Sequence, residues 1–207
     1  MKRNTGVNPI AATVGGPGVP VASQPVLADL VPGHRVRDLG LVLTSTVLLI
    51  VAGQIAIPLW FTPVPLSLAT FAVLLTGATL GPVRAGSATL LYLAVGALGA
   101  PIFADQASGW AFASFGYILG YVPAAVVVGA LARRRADRSV LATAATAALG
   151  SLIVYAVGVP WLMASLDVDL ATGLELGAYP FLVGDALKAL AVALLLPGTW
   201  RLVDRLR

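Results

Sequence analysis

The sequence predicts an all-α membrane protein, a bundle of six transmembrane helices with its N and C termini in the cytoplasm. Three observations lead to this prediction: the apolar composition, six apolar runs, and the placement of the basic residues. Of the 207 residues, 58% are hydrophobic and 11% are charged, and the mean hydropathy is +0.93. Soluble domains are about 25% charged and about 45–50% apolar. Such a chain suits lipid better than water, because in water it would expose large apolar patches.

Six apolar runs are candidates for membrane spans, since a helix needs about 20 apolar residues to cross the hydrocarbon core. They are predicted at residues 39–57, 66–80, 84–99, 112–132, 140–163 and 179–197. Prolines at 58, 63 and 65 follow the first run, Gly81-Pro82 separates the second from the third, and Pro197-Gly198 follows the sixth. The second and third runs are short for a full crossing.

The first 38 residues differ from the rest of the chain. Glycines at 15, 16 and 18 and prolines at 9, 17, 20, 25 and 32 leave neither helical nor strand periodicity. We expect residues 1–38 to form a mostly disordered cytoplasmic tail rather than a cleaved signal peptide. The six-helix substrate-binding domain is expected over residues 39–199, and a cytoplasmic C-terminal tail over residues 200–207.

The charged residues test this topology independently. Twelve of the 13 basic residues lie on one predicted side of the membrane: Lys2, Arg3, Arg35, Arg37, Arg84, Arg133, Arg134, Arg135, Arg138, Arg201, Arg205 and Arg207. The opposite loops carry Asp105, Asp167, Asp169 and Glu175 and no basic residue. By the positive-inside rule, both termini are cytoplasmic in a multi-pass protein of the plasma membrane. This reading also explains the basic pI without a nucleic-acid partner.

Several function classes lack the residues they need. The chain has no cysteine, and its one histidine, His34, precedes the first span, so a His-rich metal cluster is excluded. There is no phosphate-binding P-loop motif, and no serine or tyrosine has an evident partner base. We therefore expect binding or transport without a cofactor, and no enzymatic activity.

One acid and one base stand inside a predicted span. Asp185 and Lys188 are three residues apart, which places them on one face of the sixth helix. Counted from Tyr179, they lie roughly 9 Å and roughly 13 Å deep at 1.5 Å per residue. A charge at such depth costs about 2.5–3.5 kcal/mol on insertion scales. The pair must therefore face the bundle interior or a polar cavity.

The pair has a structural and a functional interpretation. It could tie the sixth helix to a neighbour, or it could bind a ligand, because a carboxylate accepts N–H groups while an ammonium donates to a carbonyl. Together the two groups match a cyclic urea or amide. Other residues that could complete a pocket are Gln54, Tyr92, Phe103, Ser114, Tyr117 and Tyr155. Gly116 and Gly120 form a G-x-x-x-G pattern that indicates either helix packing or close approach of a ligand.

Five motifs resemble those of the BioY family, the biotin-binding S components of energy-coupling factor (ECF) transporters. The chain shows them in order at residues 61–68 (FTPVPLSL), 80–82 (LGP), 91–104 (LYLAVGALGAPIFA), 115–121 (FGYILGY) and 184–188 (GDALK). The resemblance covers residues 39–197. It implies a six-helix protein that captures biotin from the outer side of the membrane for import.

The resemblance also implies roles for particular residues and partners. Asp185 and Lys188 stand where the family binds the ureido ring of biotin, and Gly116 and Tyr117 stand at its ligand-contacting step. The family works with a transmembrane coupling protein and ATPase subunits. Its first helix commonly docks the coupling protein through A-x-x-x-A. Here the literal match is Ala52-x-x-x-Ala56, and Thr44, Ser45 or Thr46 is the alternative.

The chain departs from the family before the fourth helix and in the second. Where the family has G-P-T-G-G-Y, this chain has Phe112-Ala-Ser-Phe-Gly-Tyr117, and Ala69 replaces a common glutamine. We therefore consider three functions. The first is a biotin-binding S component, and the second is an S component for a different small vitamin-like ligand. The third is a structural membrane protein whose Asp–Lys pair locks helices together.

Overall fold

The computed structural model describes residues 24–33 and 35–206, which form a bundle of six long helices with one hairpin and one short helix. The predicted six-helix fold is confirmed. The elements are α1 (Arg35–Gln54), β1 (Ala56–Leu59), β2 (Thr62–Ser67), α2 (Ala69–Leu80), α3 (Pro82–Ala97), α4 (Phe115–Ala132), α5 (Val140–Leu166), α6 (Leu170–Gly177) and α7 (Leu182–Leu206). Short 3-10 turns occupy Leu27–Leu30, Ala104–Gln106 and Tyr179–Phe181. By length and composition, α1, α4, α5 and the stretch Leu170–Leu206 can each cross a membrane.

The connection between α1 and α2 is an antiparallel β-hairpin, so the fold is not purely helical. Its pairing is irregular between Ile57 and Leu59, where Pro58 lies. Proline has no N–H to give to a strand ladder, which accounts for the irregularity. The predicted first span, residues 39–57, is therefore wrong at its end, because α1 stops at Gln54 and the hairpin begins two residues later.

Helices α2 and α3 are joined by a single residue, Gly81. Its φ of +80° lies in the left-handed region that favours glycine. Pro82 then begins α3, at a position where its missing N–H leaves no helical bond unmade. At 12 residues, α2 is about 18 Å long, less than the hydrocarbon core of about 30 Å. The hairpin precedes its N-terminal end.

Helices α4 and α5 pack closely through small residues. A Cβ added at Gly120 would lie 2.9 Å from the Cα atom of Val154, and one added at Gly116 would overlap the Trp161 side chain. Such close approach is how helices associate in lipid, where no hydrophobic force drives them together. The packing interpretation of the G-x-x-x-G pattern is thus confirmed.

Helix α7 does not stop at the proline predicted to end it. It runs through Pro197 to Leu206, so described residues 200–206 of the expected C-terminal tail are helical. Prolines are tolerated inside membrane helices where neighbouring groups compensate the lost bond. Trp200 lies on this extension and is buried. The Cζ atom of the Arg138 guanidinium stacks over the Trp200 ring, 3.2 Å from the ring centroid. Trp200 also donates a hydrogen bond to the Asp137 carboxylate.

Residues 24–33, here called the N-terminal strap, fold against the bundle. The prediction of disorder is wrong for them, and residues 1–23 and His34 lie outside the described residues. Val26 is fully buried, and Asp29 forms ion pairs with Arg84 (2.7 Å) and Arg133 (3.4 Å). Although burial acts to raise the pKa of Asp29, the hydrogen bond from Arg84 and the neighbouring positive charges hold it below its ordinary value.

The two ends of the bundle differ in charge. The end formed by the strap, the Gly81 turn, the α4–α5 connection and the close of α7 is the basic end. The end formed by the hairpin and the α3–α4 and α5–α7 connections is the acidic end, and its acids are Asp105, Asp167, Asp169 and Glu175. The segregation follows from the helix connections, since successive connections lie at opposite ends.

Candidate functional site

A cavity of about 650 Å³, its open mouth included, lies at the acidic end under the hairpin and the α3–α4 connection. Every long helix contributes to the walls. The lining is Gly53, Val64, Pro65, Leu66, Ser67, Ala69, Thr70, Tyr92, Phe103, Ala104, Phe112, Ser114, Tyr117, Ile118, Tyr121, Val154, Tyr155, Phe181, Asp185 and Lys188.

Asp185 and Lys188 both face this cavity from α7. The Lys188 ammonium lies 2.9 Å from the Asp185 carboxylate, and both side chains are about nine-tenths buried. Tyr155, on α5, donates its hydroxyl to the other carboxylate oxygen. Asp185 lies in the first turn of α7, where the helix dipole favours a negative charge.

The cavity is walled by tyrosines whose roles differ. Tyr117 donates its hydroxyl to the Gly177 carbonyl (2.7 Å), so that oxygen is already bonded to the protein. The Tyr117 and Tyr155 rings meet edge to face, with their centroids 6.5 Å apart. Tyr92 is buried on the opposite side, with its ring 5.2 Å from that of Phe103. These rings offer apolar faces to a ligand beside the charged pair.

An aromatic cluster lies beside the cavity; we call Phe103, Phe112, Phe115 and Trp161 the aromatic wall, and its first two members line the cavity. The Phe112 ring lies 5.9 Å from that of Phe103 and 5.6 Å from that of Phe115. Trp161 packs on Phe115 and donates its indole N–H to the Phe112 carbonyl (3.0 Å). Two members of the aromatic wall, Phe112 and Phe115, stand at positions where the family that this chain resembles has glycine.

Seven of the nine predicted site residues line the cavity, and two do not. Gln54 is exposed and donates to the Phe103 carbonyl (2.7 Å), so it supports the α3–α4 connection from outside the cavity. Gly116 contacts Trp161 instead. The lining also contains Tyr121, Thr70 and residues 64–67, which we did not predict. Tyr121 could have been found, because it is one helical turn from Tyr117 on the same face.

Among residues 24–33 and 35–206, no cluster of His, Cys, Asp or Glu has the arrangement of a metal site. The cavity instead combines one carboxylate, one ammonium, hydroxyl groups and aromatic rings. Such a set can bind a neutral polar ring through paired donors and acceptors while burying its apolar edges.

Comparison with known proteins places the chain among its relatives. The model of the BioY family matches residues 18–205. The chain belongs to the BioY family. Similar members of the family include the probable biotin transporter BioY of Pyrococcus horikoshii, which is 33% identical over 158 residues covering 75% of this chain and 91% of that protein. The biotin transporter BioY of Thermotoga maritima is 32% identical over 153 residues, 72% of this chain and 88% of that protein.

The BioY fold is also seen in a solved structure. The crystal structure of the S-component for biotin from an ECF-type ABC transporter superposes with a TM-score of 0.72. The sequence identity is 23%, and the match covers 80% of this chain and 92% of the crystallised one. This likeness establishes the shared helical architecture. The BioY-family relatives named above are transporters, and this chain is a multi-pass membrane protein of that family.

Proposed function

We propose that this BioY-family protein is the biotin-binding subunit, or S component, of a vitamin uptake transporter. The observation that carries the proposal is the Asp185–Lys188 pair, whose side chains are about nine-tenths buried and line a cavity walled by tyrosine rings and hydroxyl groups. The names of the relatives and the family match support biotin as the ligand.

The chemistry of the pair fits a ureido ring. The Asp185 carboxylate accepts ring N–H groups, and the Lys188 ammonium donates to the ring carbonyl. A ligand that engages both charges leaves neither unpaired, which matters because an unpaired buried charge is costly. The rings of Tyr92, Tyr117 and Tyr155 then surround the sulfur-containing ring of biotin with apolar surface.

A helix-locking role fits the pair less well. Asp185 and Lys188 belong to the same helix, so their ion pair joins no two helices. Tyr155 does link the pair to α5. A lock, however, has no need of a cavity beside it, and apolar packing commonly replaces a buried structural ion pair without loss of stability.

The test is biotin binding to the purified protein in lipid nanodiscs. The Asp185→Ala, Lys188→Ala double variant should lose biotin binding by more than about a hundredfold, since charge-assisted hydrogen bonds contribute about 1.5–3 kcal/mol each. Asp204→Ala, which removes an exposed charge at the basic end, is the matched control and should bind normally. Undiminished biotin affinity in the double variant would show that Asp185 and Lys188 do not form the biotin site.

We further propose that the basic end faces the cytoplasm of a plasma-membrane protein that works with a coupling protein and ATPase subunits. The charge segregation supports this orientation. Because the natural chain has no cysteine, Ser108→Cys at the acidic end and Arg134→Cys at the basic end are single-site probes. In intact cells, a membrane-impermeant maleimide should label Ser108→Cys and not Arg134→Cys. The opposite labelling would reverse the orientation.

A further inference from the structure

The residues that line the cavity carry one negative and one positive charge, so the net charge of the lining is zero. Asp185 and Lys188 are the two charged side chains among its lining residues, and they are paired at 2.9 Å. The remaining polar side chains of the lining are hydroxyls: Ser67, Thr70, Tyr92, Ser114, Tyr117, Tyr121 and Tyr155. The ureido ring uses both charges of the pair in the proposed function. Within residues 24–33 and 35–206, no other cationic side chain lines the cavity to bind an acid group at the other end of the ligand.

The segments around the cavity at the acidic end carry no basic side chain. The aromatic wall lies on one side of the cavity, and the Phe103 ring fills the space that Gly96 leaves open by lacking a side chain. The three connections at the acidic end, residues 55–68, 98–114 and 167–181, contain four acidic residues and no lysine or arginine. These connections therefore offer no basic side chain to a carboxylate that leaves the cavity.

Two of the N–H groups at the start of α4 are already bonded within the protein. A helix N-terminus attracts anions through its free N–H groups. In α4, the Phe115 N–H already donates to the Phe112 carbonyl (3.2 Å), and the Tyr117 N–H donates to the Ser114 carbonyl (3.1 Å). The Ser114 hydroxyl remains at the cavity, and a hydroxyl bonds an amide as well as a carboxylate.

We propose that this pocket does not select for a carboxylate tail and accepts biotin derivatives with uncharged tails, such as amides and esters, as readily as biotin. The inference rests on the proposed function, because it takes the ureido ring as the group that Asp185 and Lys188 hold. It adds that the far end of the ligand is recognised by aromatic contact and hydroxyl groups instead of by charge. Amide-linked biotin is thereby a substrate class for this protein.

The decisive measurement compares biotin, biotinamide and biotin methyl ester by calorimetry on the purified full-length protein. The three dissociation constants should agree within about threefold, whereas loss of a charge-assisted hydrogen bond would separate them by about tenfold or more. Biotin binding about tenfold or more tighter than biotinamide would overturn the inference and leave the proposed function intact. Failure of biotin and both derivatives to bind would instead overturn the proposed function.

A variant tests where the tail lies. Phe112→Lys places a cation in the aromatic wall and should raise the preference for biotin over biotinamide by about tenfold. Phe112→Leu removes the ring without adding charge and should leave the preference unchanged. The ratio of two ligands on one protein sample is insensitive to a partly inactive preparation. An unchanged ratio in a folded Phe112→Lys protein would contradict the inference.

Discussion

The Tyr155 hydroxyl is the group that holds the Asp185 carboxylate from a neighbouring helix. Tyr155→Phe keeps the ring and removes this donor, so the carboxylate loses a hydrogen bond and part of its orientation. We expect biotin affinity to fall about tenfold, the usual effect of losing one hydrogen bond to a charged group. Isothermal titration of the purified variant measures this.

Tyr179→Phe is the control for this prediction. Tyr179 is 57% exposed and lies outside the cavity lining, so its hydroxyl should not matter for binding. Equal affinities for Tyr155→Phe and the natural protein would show that Asp185 is positioned without Tyr155.

The position of a single side chain could be predicted from sequence where its chemistry allows few environments. Two charges inside an apolar helix must face a partner or a cavity, so Asp185 and Lys188 could be placed from sequence. The position of Gln54 could not be predicted, because a polar residue at a helix end can hydrogen-bond to water, to a loop or to a ligand equally well. Gly116 shows the same limit, since a small residue allows close approach without specifying whether a helix or a ligand comes close.

The N-terminal strap is an element whose stability depends on ionic contacts at the basic end. Asp29→Asn keeps the shape of the side chain but removes the charge that faces Arg84 and Arg133. Allowing for solvent screening, we expect a loss of about 1 kcal/mol, or a decrease in Tm of about 2–4 °C at this chain length. Thermal unfolding in nanodiscs measures the change.

The pH dependence of this effect has a definite sign. The folded pKa of Asp29 lies below its ordinary value of 3.8, so its stabilising contribution is complete above that value. It is lost only as the pH falls through the folded pKa. The difference in Tm between Asp29→Asn and the natural protein should therefore be the same at about pH 5 and about pH 8. Asp204→Asn is the matched control; a difference that shrinks toward pH 5 would contradict the assignment.

Whole elements were predictable in proportion to their apolar length. The long spans stand out by composition, but the hairpin is mostly apolar and its first residues read as a continuation of α1. The strap was missed for a different reason: prolines and glycines suggested disorder, while Asp29 forms ion pairs with Arg84 and Arg133, which are more than 50 positions away in the sequence. Such tertiary contacts leave no local pattern.

Helix α1 presents an exposed face of small residues that a partner helix can approach closely. Gly40 and Thr44 are exposed and lie one helical turn apart, and a Cβ at Gly40 would meet nothing within 4 Å. Ser45 and Thr46 are buried, and Thr46 donates to the Ala88 carbonyl (3.2 Å), so they are unavailable for docking. Of the three predicted docking side chains, Thr44 remains.

The Ala52-x-x-x-Ala56 match does not form a docking face. Ala52 is buried in the bundle, and Ala56 belongs to β1 rather than to α1. A small-x-x-x-small face at Gly40 and Thr44 instead lies near the basic end, where the proposed coupling protein and ATPase subunits would act. Small residues permit close approach of a second helix, and leucine at both positions would prevent it.

We therefore expect Gly40→Leu, Thr44→Leu to abolish energised biotin uptake in cells that supply the coupling protein and ATPases. Biotin affinity of the purified variant should be unchanged, because the cavity lies at the other end of the bundle. Gly198→Leu is the matched control: Gly198 is also exposed on a long helix, and a Cβ there also meets nothing within 4 Å. Uptake lost equally in the control would indicate a general effect of bulk at the lipid surface, and normal uptake in the α1 variant would place the docking face elsewhere.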